Sequence, residues 1–84
     1  MKHASPLALE SISRLLSEIR DLPGIAEMKT GIFYKSGRAF LHFHEDPTGM
    51  FADARIEEND FSRFPVNSEE ETAALLKALR NRLT

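Results

Sequence analysis

Eighty-four residues, 42% of them hydrophobic and 29% charged, make one domain: too short for a second core and too apolar for a disordered chain. The absence of cysteine excludes disulfides, thiolate metal ligands and cysteine nucleophiles together. A net charge of −2 with scattered Lys and Arg argues against nucleic-acid binding, which draws its nonspecific affinity from basic stripes that neutralise phosphate.

Ser5-Pro6 is a helix start, a side-chain cap followed by a residue pre-set for the first helical position. Leu9, Ile12, Leu15, Leu16 and Ile19 then recur at helical spacing until Leu22-Pro23-Gly24 stops the run. The pattern predicts one amphipathic helix over 6–21. Glu10, Arg14 and Glu18 interrupt this stretch, so it lacks the apolar core of a signal peptide. No run approaches the length of a membrane span. The expectation is a soluble, cytoplasmic domain.

Beyond residue 25 the period changes. Ile25 to Tyr34 reads as a strand in which Gly31 marks a bulge or bend. Lys35-Ser36-Gly37 is a turn, Arg38 to Glu45 a second strand, Asp46-Pro47-Thr48-Gly49 another turn and Met50 to Ile56 a third strand. Residues 57–60 read as a loop, and Phe61, Phe64 and Val66 as an irregular crossover against the sheet. Ser68 with Glu71 three residues on is a capping box. It opens a helix over 69–82 whose glutamates at the start and Lys77, Arg80 and Arg82 at the end suit the macrodipole. The predicted fold is α+β: a three-stranded antiparallel sheet with the N- and C-terminal helices packed on one face, in the order α-β-β-β-α.

His42-Phe43-His44 is the feature closest to chemistry. Residues i and i+2 of a strand share a face about 7 Å apart, and two imidazoles so placed suit a metal site or a proton-transfer pair. Ala39, Leu41 and Phe43 form the more apolar face and are assigned to the helices, which leaves Phe40, His42 and His44 on the open one. On the next strand Phe51, Asp53 and Arg55 share a face. If His44 pairs with Phe51, His42 meets Asp53, and a ligand-binding face of Phe40, His42, His44, Phe51, Asp53 and Arg55 results. Its metal set is then His42, His44 and Asp53, with a divalent metal such as zinc as the implied cofactor. A three-residue turn with Gly49 left-handed instead puts Ala54 opposite His42. Both registers suit the sequence.

Other chemistry is absent. The H-x-H lacks the downstream acidic ligand of a cupin motif, with Thr48 and Gly49 in those places. No H-E-x-x-H, P-loop or G-x-G-x-x-G occurs, and Glu45-Asp46 reads as turn chemistry. Phe40 and Phe51 on an open face would form an apolar patch, the mark of a protein partner or of a homodimer.

Two stretches carry resemblances to known families. Asp21-Leu-Pro-Gly-Ile-Ala-Glu27, with Phe33 and Gly37-Arg38-Ala-Phe40, resembles the opening of small bacterial domains of the YjbR/MmcQ type. Those have an α+β fold likened to a double-wing DNA-binding domain, and their biochemical role is not established. Gly37-Arg38, His42-Phe43-His44 and Asp53 are similar to an uncharacterised family called luciferase-like. The resemblance implies a bacterial conserved-hypothetical domain and supplies no catalytic residue. Three functional readings are open to this sequence. The first is a binding or protein-interaction module on the open sheet face. The second is a metal-dependent or small-ligand-binding protein, or an enzyme, centred on His42 and His44. The third is a nucleic-acid-associated domain, which the acidic balance opposes.

Overall fold

The computed structural model describes residues 2–57 and 59–83, with Lys2 and His3 described by their backbone alone. The chain runs β1 (Lys2–His3), α1 (Pro6–Ser11), α2 (Ser13–Arg20), β2 (Ala26–Lys29), β3 (Ile32–Lys35), β4 (Arg38–Asp46), β5 (Gly49–Glu57), β6 (Asp60–Pro65) and α3 (Glu69–Leu83). β2 to β6 form an antiparallel meander in chain order, and β1 pairs with β4. The α+β class and the antiparallel sheet are as predicted. The three predicted strands are corrected to five in the meander, with β1 added at one side. Of the loop over 57–60, Glu58 lies outside the described residues. Among the described residues no helix is long and apolar enough to cross a membrane.

One extra strand arises because Ile25 to Tyr34 does not run straight. It folds back at Thr30-Gly31, pairing Glu27 with Phe33 and Lys29 with Ile32. Gly31 has φ +78°, a left-handed conformation that favours glycine, and a β-carbon there would lie 2.7 Å from Leu9 Cδ2, so a larger residue would strain the backbone and displace the Leu9 side chain. Glu27 holds this corner. Its carboxylate accepts the Gly31 N–H at 2.9 Å and the Arg20 guanidinium at 2.6 and 3.0 Å, joining the end of α2 to the hairpin. The Arg20 hydrogen bond holds the Glu27 carboxyl below its ordinary range. The unfolded chain therefore binds this proton more readily than the native one. The contribution of Glu27 is complete above the unfolded pKa of about 4.3 and fades as pH falls through the lower native value. Glu27→Gln should be less stable than the parent at pH 7, and the difference should shrink towards pH 3, as read from urea midpoints across that range.

The second extra strand is β6, which replaces the irregular crossover expected from the sequence. It pairs Ala52 with Phe64 and Asp53 with Arg63. Beyond it Asn67 continues the ladder with its side chain, accepting the Met50 N–H at 2.8 Å and donating to the Met50 carbonyl at 3.1 Å.

The predicted N-terminal helix is interrupted at Ile12, with φ −114° and ψ 24°. Ser11 Oγ donates to the Ala8 carbonyl at 2.6 Å, and the Ile12 N–H reaches Leu9 rather than staying in the regular ladder. Local side-chain bonding of this kind competes with helical pairing. The apolar stripe survives the break: Leu9, Ile12, Leu15, Leu16 and Ile19 are all buried. At α3, Ser68 Oγ accepts the Glu71 N–H at 3.2 Å, while the Glu71 carboxylate reaches back to the N–H of Asn67 at 2.8 Å.

Leu41, Phe43, Ala52 and Ala54 share one sheet face through the pairs Leu41–Ala54 and Phe43–Ala52. They form one buried cluster with Leu15, Leu16 and Ile19 of α2 and Leu75, Leu76 and Leu79 of α3. Two alanines opposite two large residues leave room for helices to approach that face. Phe40 belongs to this cluster as well, at 2% exposure, which corrects its assignment to the open face. Phe33 pairs with Leu41 but Tyr34 pairs with Ala39, so Phe40 is the extra residue of a β-bulge. A bulge interrupts the strict alternation of strand faces, and here the large ring goes to the core.

Candidate metal centre on the open sheet face

The β4–β5 hairpin decides which residues meet. Asp46 pairs with Gly49 across Pro47-Thr48, and Asp46 Oδ1 accepts the Thr48 N–H at 2.8 Å. A two-residue loop results, and with it the register His42–Asp53 and His44–Phe51. Glu45 is engaged structurally too, accepting the Ser5 N–H at 2.9 Å. The carboxylates at 45 and 46 thus have framework roles.

On the face away from the helices, His42 and His44 lie edge to face with ring centroids 4.4 Å apart. His44 Nε2 is 3.2 Å from Asp53 Oδ2. One nitrogen from each imidazole and one oxygen of Asp53 lie within 4.8 Å of one another. Nitrogen and oxygen donors around zinc sit about 2.0–2.2 Å from the ion, so these atoms would have to draw together to share one. Both histidines are half-buried and Asp53 is 7% exposed, in the middle of the sheet rather than at its rim.

Asp53 has a further partner that the strand pattern did not reveal. Arg63 of β6 donates Nε to Oδ1 at 2.8 Å and a terminal nitrogen to Oδ2 at 3.0 Å, a bidentate pair. This hydrogen bonding holds the Asp53 carboxyl below its usual range, with the charge of Arg63 and the neighbouring imidazoles adding to it. Asp53 therefore stays ionised at neutral pH, buried yet satisfied. Phe61, also missed by sequence reasoning, lies edge to face with His42 at 4.9 Å and carries the Arg55 guanidinium 4.3 Å above its ring. Arg55 is fixed from the other side by its Nε bond to the Ala39 carbonyl at 2.8 Å. Both missed residues lie on β6, and the usable signal was the alternation of Phe61 and Arg63 with Ser62 and Phe64.

Of the six residues proposed for the open face, His42, His44, Asp53 and Arg55 come together and Phe51 lies half-buried opposite His44. Phe40 does not join them. Beside the cluster, the β2–β3 hairpin lines a groove of about 850 Å³ with Ile25, Met28, Ile32 and Tyr34. Ile32, which lines it, is the register partner of His42.

Chemically, the cluster can bind a cation through two neutral imidazoles and a carboxylate, with Asp53 also able to orient His44. Comparisons with models of known protein families, with curated proteins and with solved structures found no match.

Proposed function

We propose that this chain is a small binding module whose site lies on the open face of the sheet, where His42, His44 and Asp53 take a divalent transition metal such as zinc. The observation that carries the reading is the β4–β5 register, which places a buried, ionised Asp53 opposite His42 and 3.2 Å from His44. A donor set of nitrogen and oxygen without thiolate suits zinc and other first-row ions of similar preference. The groove beside Ile32 supplies room for an apolar part of a ligand next to the ion. The test is a zinc titration followed by the imidazole NMR signals. His42 and His44 should shift together and saturate at one equivalent. Unmoved signals at severalfold excess of zinc defeat the proposal.

A second reading is self-association through the same face, and its support is Phe61, 39% exposed beside Arg55 and His42. Phe40 no longer contributes to it. Sedimentation at rising concentration should then show a dimer that Phe61→Asp weakens, whereas a monomer at millimolar concentration ends this reading.

A further inference from the structure

We infer a second binding site, for a compact phosphoryl anion, at the end of the sheet where the β3–β4 turn and the last turn of α3 border one cavity. The cavity measures about 230 Å³ and is lined by Lys35, Ser36, Arg38, Arg55 and Arg82 beside the buried Phe40. Its four cations come from four segments: the end of β3, the start of β4, the later part of β5 and the C-terminal turn of α3. Arg55 is the member it shares with the open face. Among the described residues no carboxylate lines the cavity. The chain as a whole has 13 Asp and Glu against 11 Lys and Arg, so this local excess runs against the composition.

The four charges have no counter-charge. Among the described residues none of them forms an ion pair; the pairs Arg20–Glu27, Arg63–Asp53 and His44–Asp53 lie elsewhere. Lys35, Arg55 and Arg82 are half-buried, so part of their hydration is already lost. Like charges gathered in this way repel, and partial desolvation strengthens the repulsion. Packing asks only for the aliphatic stems of such side chains. The α3 macrodipole accounts for a cation at Arg82 and for none of the three on the strands. An anion bound among them removes the conflict.

Two features of the backbone preorganise the cluster. Ser36 and Gly37 have φ +53° and +81°, the two left-handed residues of a tight hairpin turn, which sets Lys35 and Arg38 side by side as register partners. The paired register of β4 and β5 runs out at Leu41–Ala54, next to the bulge at Phe40, and there Arg55 Nε donates to the Ala39 carbonyl at 2.8 Å. Its guanidinium also lies 4.3 Å above the Phe61 ring, which fixes its plane. With Nε engaged, the two terminal nitrogens remain as donors, the pair that suits a bidentate contact to phosphate. The Ser36 hydroxyl supplies one more donor. Because the cavity is smaller than the roughly 300–1,000 Å³ of a site for a drug-sized ligand, its occupant is free phosphate or a small phosphomonoester.

The experiment is a calorimetric titration in metal-free buffer with inorganic phosphate and then with phenyl phosphate, on the parent chain, Arg38→Gln, Arg82→Gln and Lys77→Gln. The parent should bind one equivalent. Arg38→Gln and Arg82→Gln should each bind roughly tenfold more weakly, the loss expected for one charge-assisted hydrogen bond. Arg38 is exposed, so its variant keeps the fold out of the comparison. Lys77→Gln removes an exposed charge of α3 outside the lining and should match the parent. Tighter binding of phenyl phosphate supports a phosphomonoester as the occupant, and equal affinity supports free phosphate. A parent with no saturable binding at millimolar phosphate overturns the inference, as does parent-like affinity in both arginine variants. Equal weakening in Lys77→Gln assigns the effect to net charge and also overturns it. A single-stranded oligonucleotide that binds more tightly than either phosphate replaces the small ligand and overturns it too.

Discussion

Phe43→Ala is expected to cost about 3–5 kcal/mol, because it empties a fully buried ring position between the sheet and the helices. Phe43 faces Ala52 across β4–β5 and belongs to the cluster that joins α2 and α3 to the sheet. The neighbouring alanine cannot expand to fill the space, so most of the cavity should persist. A domain of this length has a total stability on the order of 5–10 kcal/mol, and the loss is therefore a large share of it. Urea unfolding should show the midpoint falling with little change in slope. Phe61→Ala is the contrasting variant. Its ring is exposed on the open face, so removing it should cost no more than about 1 kcal/mol. A loss below about 1 kcal/mol for Phe43→Ala would contradict the core position of this residue.

His42→Ala and His44→Ala should each weaken zinc binding by more than the roughly 10–100-fold that accompanies loss of an outer-sphere partner. Neither imidazole belongs to the buried apolar cluster, so both variants should keep the parent's circular dichroism and unfold cooperatively. The two effects should not add if one ion is held by both rings, since the first loss would already remove most of the site. Because a metal is held by the neutral form of imidazole, protons would compete with it, and affinity should fall in acid. Calorimetry at neutral and at acid pH reads the direction. Affinity unchanged in either single variant would move the site away from these residues.

Much of the local structure was legible in the residues themselves. Ser5-Pro6 and Ser68 with Glu71 marked the starts of α1 and α3, and period-2 alternation through Leu41 and Phe43 identified the buried side of the central strand. These signals are short-range: a cap, a turn or a strand face is specified by neighbours a few positions away. The same alternation put His42 and His44 together on the opposite face, which made the candidate site visible before any fold was known.

Tertiary structure decided the rest. Gly31 is compatible with either a bulge or a reversal, and the choice is made by the pairing of Ala26 with Tyr34 and Lys29 with Ile32. Alternation misplaces Phe40 because a bulge is a property of two paired strands, and the ring's larger gain from burial outweighs regular alternation. The β4–β5 register, open in the sequence between Asp53 and Ala54, is settled by the two-residue loop at Pro47-Thr48. Arg63 reaches the site through its pairing with Asp53, 10 residues away in sequence. The amino-acid sequence by itself determined which residues could form faces, caps and turns. Which faces meet, and so which side chains share a site, depended on long-range strand pairing, whose register no local pattern specifies.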